Sequence, residues 1–340
     1  MKAPAQNPGK LVCFGEVLTR LSTSNARPLA DAQSLELHFA GAEANVAVQF
    51  AELGGCASMV TRLPDNRLAE VCLEKLRGRG VDTSAVLTGG SRMGLYFLEP
   101  GYGPRASVIT YDRAHSAISE MTPGMIDWEN VLAGAGAFHW SGITPPLGTQ
   151  CASVCAEAVA AAKRLGLRVS CDLNYRSALW SMAAAAAVMP ALVEGLDFCF
   201  CGATEAREIL GCGGRALGDD AFAETAEAVA QKYGISEVAM LIRTGESAHG
   251  GTLRGLLWTD GAASFSRLHE LAVMDRIGSG DSFAGALLNA RMGGMGAADA
   301  IEFATAAATW KHTISGDWNR GSFEEIQAFV QGASGARVKR

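Results

Sequence analysis

The 340-residue sequence has no apolar run long enough to span a bilayer. Its opening, MKAPAQNPGK, has no apolar stretch behind its charge, so a secretory signal is not expected and a cytoplasmic location is. Positive charge is not in excess either. The net charge is −6, which argues against a non-specific nucleic-acid binder and leaves any anionic substrate dependent on local basic residues. Cysteine pairs at metal-ligand spacing are also missing. The nine cysteines are an odd number, with Cys151 and Cys155 four apart on an alanine-rich helical run and Cys199 and Cys201 on one face of a strand. They are expected to be buried and reduced. No Gly-Lys-Ser/Thr follows a glycine loop, so there is no P-loop. The glycine stretch at 278–285 is not a dinucleotide fingerprint, because it lies near the end of the chain with its third glycine misplaced, and no internal repeat is visible.

The content that remains is that of a folded α/β protein. Apolar residues make up 49% and charged residues 19%, enough for one large domain with a small appendage. Leu11–Gly15 reads as a buried strand, and residues 41–54 read as a helix stopped by Gly54-Gly55. A strand over 57–62 and a helix over 68–79 follow. Residues 18–39 suit short strands and loops. Residues 94–98 and 106–111 form a hairpin around Pro100-Gly101-Tyr102-Gly103-Pro104. Beyond residue 130, strands over 137–143, 168–172, 198–201 and 238–243 alternate with helices over 151–165, 203–210 and 221–233. The alanine-rich run 182–190 adds a soluble helix. This alternation predicts a mainly parallel sheet flanked by helices, with ligands beyond the carboxyl ends of its strands. Helices over 282–292, 297–313 and 323–330 close the chain, followed by a basic tail, 335–340.

The stretch richest in chemistry is Asp275-Arg-Ile-Gly278-Ser-Gly280-Asp281-Ser-Phe. Its glycines allow a tight turn with exposed N–H groups, and a helix beginning at about Ser282 adds the positive end of its dipole. Together they form an anion cradle. Asp281 stands where a carboxylate accepts a proton from an attacking hydroxyl. The alternative is that Asp281 only caps the helix.

Context favours the first reading. Asp275-x-x-Gly278-x-Gly280-Asp281 resembles the signature of the ribokinase-like sugar kinases, and Ala40-Gly41-Ala-Glu-Ala-Asn45 resembles that family's N-terminal glycine motif. Asp172-Leu-Asn174-Tyr-Arg176 and Lys311-His312-Thr-Ile-Ser-Gly316-Asp317-Trp318-Asn319 are similar to the branch that phosphorylates 2-keto-3-deoxygluconate. The resemblance runs from about residue 10 to the C-terminus.

It implies an α/β ribokinase-like core made of residues 1–17, 40–91 and 118–340. Residues 18–39 and 92–117 would form a small β-sheet lid through which a homodimer or higher homo-oligomer assembles. It implies ATP and Mg²⁺. Asp281 would be the general base, and Ile277, Gly278, Ser279 and Gly280 the anion hole. Gly41, Tyr96, Tyr111, Arg113, Asn174, Arg176 and Asp317 would join Asp281 around the sugar. Arg243, Gly245, Ser247, Lys311 and His312 would face the nucleotide. Arg113 and Arg176 suit a carboxylate on the substrate. Lys311 and His312 could equally be cations at a helix C-terminus. The family's Asn-x-x-Glu magnesium motif falls on Gly202-Ala-Thr-Glu205, so Glu205 is the one candidate to organise the ion, through water; the alternative is that it is only a first-turn helix acid. The expected substrates are 2-keto-3-deoxygluconate first, then fructose or 2-keto-3-deoxygalactonate. A sugar-acid sensor without turnover is the non-enzymatic alternative.

Overall fold

The computed structural model describes residues 8–245 and 247–332. Basic tail residues 335–340 therefore lie outside it. Lys10–Phe14, the first strand, is buried on both faces (Leu11 to Phe14 are 0–1% exposed), as suits the middle of a parallel sheet. It lies between Cys56–Val60 and Ala137–Ser141, parallel to both. Arg168–Asp172, Phe198–Phe200 and Glu237–Thr244 continue the sheet in parallel. Val81–Asp82 ends it on the other side. Each of these strands except the two-residue Val81–Asp82 was expected from its apolar run, to within two residues.

The far edge was not expected. Thr252–Thr259 pairs antiparallel with Glu237–Thr244, and Ala262–Phe265 and His269–Glu270 pair antiparallel with it in turn. A hairpin needs no helical crossover, so the strand–helix rhythm that revealed the parallel strands gives no warning of it.

Helices cover both faces. One core holds the helices Ala42–Glu52, Ser279–Met292 and Ala297–Lys311 against the sheet. The other holds Cys151–Arg164, Met182–Val193 and Asp219–Tyr233. Local signals start several of them: Asn66 caps Arg67–Arg77, and Ser322 with Glu325 forms a capping box on Phe323–Val330. All nine cysteines are free. Eight are buried, but Cys56, at the exposed start of its strand, is not. Among the described residues no helix is long and apolar enough to cross a membrane.

A separate four-stranded sheet, in the order Glu36–Ala40, Leu18–Ser22, Gly94–Glu99, Val108–Asp112, stands over the carboxyl edge of the large one. Its pairs are antiparallel except the central one, Leu18–Ser22 with Gly94–Glu99, which is parallel. The hairpin tip reaches the loop after Glu237–Thr244. There Ala248 N–H donates to Gly103 O at 2.9 Å, and the Tyr102 and His249 rings lie 4.6 Å apart.

Candidate active site

The helix expected from about Ser282 begins one turn earlier, at Ser279, with Gly278 as its N-cap. Gly278 has φ 81°, and a Cβ there would lie 2.0 Å from Asp317 O, so both conformation and space demand glycine. Ser279, Gly280 and Asp281 thus form the first helical turn, whose N–H groups lack intrahelical acceptors. A Cβ at Gly280 would meet nothing within 4 Å, so this turn faces open space. Ile277, expected in the anion hole, has its amide bonded within the loop. Its N–H donates to Asp275 Oδ1 at 3.0 Å and is therefore already engaged, while its side chain packs beside Leu18, Ala40 and Tyr96.

Asp281 does not cap the helix, for no side-chain cap bond is made there. Its Oδ2 instead accepts from Asn45 Nδ2 at 2.6 Å, so the two glycine motifs meet. Burial pushes the Asp281 carboxyl up to about 6, against the pull of the Asn45 bond and the Arg176 guanidinium. A carboxylate with that affinity is ionised at neutral pH yet basic enough to take a hydroxyl proton.

Between the two sheets lies a cavity of about 100 Å³ walled by Gly41, Asn45, Tyr96, Tyr111, Arg176 and Asp281, among others. Gly41 has φ 148°, and a Cβ there would lie 2.1 Å from Glu16 O. Arg176 is exposed, and its Nη1 donates only to the Tyr175 carbonyl at 3.0 Å. It pairs with no carboxylate among the described residues. Arg113 also lines the cavity, but it is buried against Glu16, to which Nε donates at 2.9 Å and Nη2 also donates. Glu16 was not singled out from sequence. Its partnership leaves the Arg113 end of the cavity polar but locally neutral, so the expected clamp of two free guanidiniums is one free and one paired. Asn174 is not among the cavity walls. It sits at φ 39° in a turn where its N–H donates to Asp172 Oδ1, a local role.

Tyr96 and Asp317 meet directly, the phenol donating to Oδ1 at 2.7 Å. Asp317 Oδ2 takes Arg20 Nη1 at 2.9 Å. Arg20 was missed because a charged residue in a short strand-like run gives no sign that it is 2% exposed.

Among the residues expected to face a nucleotide, Arg243 donates to Ser279 Oγ at 3.0 Å and to His312 Nε2 at 2.9 Å. Burial, and then the neighbouring Arg276 cation, push the Arg243 guanidinium down to about 10. Two guanidiniums therefore stand beside the start of the helix. Gly245 has φ 119°, and a Cβ there would lie 2.6 Å from the Gly251 Cα. Ser247 is exposed and accepts from the His249 N–H. Lys311 and His312 do not present free groups to a ligand as expected; both are fully buried. Lys311 Nζ donates to Ile314 O at 3.0 Å and Asp275 O at 3.3 Å, and His312 Nδ1 donates to Ala308 O at 2.6 Å. His312 thus folds back on a carbonyl of the last helical turn, and Lys311 satisfies two loop carbonyls. Burial, then the Arg243 charge, lowers His312 to about 4, so it is neutral and its Nε2 accepts from Arg243.

Glu205 is the first-turn helix acid. Its two oxygens accept from Gly202 N–H and Tyr175 N–H, both at 2.7 Å, fixing the loop that carries Arg176. Among the described residues no group of three His, Cys, Asp or Glu is arranged to hold a metal. Asp172 lies close enough to Glu205 and Asp281 to feel both charges. Burial pushes Asp172 far above the usual carboxylate range, and the charges of Glu205 and Asp281 push it further.

A model of the pfkB carbohydrate kinases matches residues 9–319. The 2-dehydro-3-deoxygluconokinase of Thermotoga maritima, a solved structure, superposes with a TM-score of 0.93 at 40% identity, covering 95% of this chain and 99% of that one. The 2-dehydro-3-deoxygalactonokinase of Haloferax volcanii is 31% identical over 327 residues, 95% of this chain and 97% of that protein. The 2-dehydro-3-deoxygluconokinase of Thermoproteus tenax is 30% identical over 321 residues, 93% of this chain and 92% of that protein.

Proposed function

The chain belongs to the pfkB family of carbohydrate kinases, and we propose that within it the protein transfers the γ-phosphoryl group of ATP to 2-keto-3-deoxygluconate (2-dehydro-3-deoxygluconate), giving the 6-phosphate. The observation that carries the choice of substrate is Arg176, a guanidinium in the cavity wall with no carboxylate partner among the described residues. A sugar acid offers that partner and a neutral sugar does not. The names of the Thermotoga and Thermoproteus relatives support the same choice.

In this reading the acceptor hydroxyl lies against Asp281, which takes its proton as the oxygen attacks the γ-phosphorus and the β–γ bridging oxygen leaves with ADP. The N–H groups of the first turn receive the phosphoryl oxygens, those of Gly280 and Asp281 directly and that of Ser279 in exchange for its long 3.4 Å bond to Arg276 O. Arg243 and Arg276 lie beside that turn and offset the charge of the phosphates. Gly41 and Asn45 set the sugar close to Asp281; Tyr96, Tyr111 and Arg113 form the far wall. Mg²⁺ would be held by the triphosphate and reached through water by Asp172 and Glu205, supplying charge neutralisation. The four-stranded sheet acts as the lid that keeps water from the phosphoryl group. Leu37 and Val108, exposed on its strands at 41% and 51%, give it an apolar outer surface suited to self-association.

The galactonate epimer is a second reading, favoured by the Haloferax relative. The test is ADP release with Mg-ATP on both epimers, fructose and ribose at matched concentrations. A preference for the 2-keto-3-deoxy acids supports the proposal, and the ratio of the two epimers decides between the readings. Preference for fructose or ribose sinks the role given to Arg176.

A further inference from the structure

Arg20 lies in the lid strand Leu18–Ser22, yet its side chain is buried against the kinase core. Nη2 meets Asp275 Oδ2 at 2.6 Å, Nη1 meets Asp317 Oδ2 at 2.9 Å, and Nε donates to Ser22 Oγ at 2.6 Å. All three guanidinium nitrogens are therefore engaged. The two carboxylates belong to different parts of the site.

Asp317 faces the sugar cavity. Its other oxygen accepts the Tyr96 phenol, and Tyr96 sits directly across from Arg20 in the parallel strand pair. Asp275 begins the phosphate-binding loop. Its Oδ1 accepts from Ile277 N–H and its Oδ2 from Gly316 N–H, each at 3.0 Å. The Asp317 backbone closes the ring, because its carbonyl lies where any Cβ on Gly278 would fall. One buried cation thus ties the lid, the sugar wall and the turn that starts the Ser279–Met292 helix.

A solvent-facing ion pair is screened and transmits little. A buried guanidinium between two carboxylates has discrete, geometrically fixed partners, so moving one member moves the others. A sugar seated against Tyr96 and Asp317 fixes the orientation of the Asp317 carboxylate. Arg20 carries that constraint to Asp275, whose carboxylate holds the Ile277 amide and with it the angle of the loop.

We propose that Arg20 is a positioning residue that couples occupancy of the sugar cavity to the shape of the phosphate-binding loop, so that sugar and ATP bind cooperatively. This rests on the kinase reading of the site. By linkage, the factor by which sugar tightens nucleotide equals the factor by which nucleotide tightens sugar.

The experiment measures the dissociation constant of a non-hydrolysable ATP analogue with Mg²⁺, with and without a saturating amount of the sugar that the wild type phosphorylates. The wild-type ratio is expected to be about tenfold. In Arg20→Lys, whose single ammonium cannot span both carboxylates, the ratio falls toward one whatever the analogue affinity without sugar. Tyr96→Phe removes only the hydroxyl bond onto Asp317 and lowers the ratio in part. It keeps the test decisive if Arg20 variants fail to fold. A wild-type ratio of one overturns the coupling, as does an Arg20→Lys protein that melts earlier but keeps the full ratio, which would make Arg20 a structural brace only. Turnover of a sugar other than the 2-keto-3-deoxy acids overturns the substrate assignment alone, since the ratio is then measured with that sugar.

Discussion

Asn45 Nδ2 donates to Asp281 Oδ2 at 2.6 Å across 236 residues of sequence. The bond orients the proposed general base and stabilises its ionised form, opposing the burial that raises it to about 6. The carboxylate must be ionised to accept a proton, so kcat/KM should fall as pH drops through about 6. Asn45→Ala removes a contribution that lowers the Asp281 pKa, so its acid limb should move to higher pH. A pH–rate profile of both proteins checks this; an unmoved limb in the variant would separate that limb from Asp281.

Asp281→Asn keeps the size of the side chain and removes its basicity. Turnover should drop by roughly 10²–10⁴-fold, with sugar and ATP-analogue binding close to normal by calorimetry. Near-normal turnover would show that another group takes the proton.

Arg176→Met should raise KM for the keto acid by about tenfold or more, the scale of one lost charge-assisted contact. It should also shift the acid limb upward, because the Arg176 charge lowers the Asp281 pKa. Steady-state kinetics from about one pH unit below to about two above the Asp281 pKa of about 6 read both effects. A change in neither would place Arg176 outside the reaction.

The two loop glycines should respond differently. Gly278→Ala meets the Asp317 carbonyl and a left-handed φ, and should cost about 1–3 kcal/mol or more of stability along with activity. Gly280→Ala meets nothing, so its melting temperature should hold while its methyl group, projecting from the first turn, raises KM for ATP. Equal loss of stability in both would contradict the picture of an open first turn.

Glu43 is fully buried, with Ser141 and Thr144 hydroxyls donating to Oε1 and no partner on Oε2 among the described residues. Burial raises it to about 7 from 4.5. The folded state holds its proton more tightly than the unfolded chain, so its contribution is fully present below about pH 4.5 and is lost as pH rises through about 7. The loss amounts to about 3 kcal/mol. Denaturant titrations at pH 5 and pH 8 should show a smaller drop in Glu43→Gln than in the wild type (about three units apart, spanning the folded-state titration). An identical drop would mean that Glu43 is not the group responsible.

Much of this was legible before the fold was known. The apolar runs Leu11–Phe14 and Arg168–Asp172 and the helix closed by Gly54 depend on near neighbours in the chain, and they appear where periodicity places them. Asp275-x-x-Gly-x-Gly-Asp281 was legible because a left-handed turn before a helix requires glycine whatever surrounds it. The antiparallel edge after Glu237–Thr244 was not, since strand direction is a property of pairing rather than of a segment.

Sequence by itself determined the alternating core and which residue types could form an anion cradle with a carboxylate, because propensity, periodicity and glycine geometry act over a few residues. Only the tertiary structure decided what each side chain does. Lys311 and His312 turned inward, Ile277 gave its amide to Asp275, and Glu205 closed a helix turn. Arg113 found Glu16, and Arg20 became the bridge between Asp275 and Asp317. A polar group's partner is set by which distant segment arrives beside it and by how much water remains, and neither is written in the residues next to it.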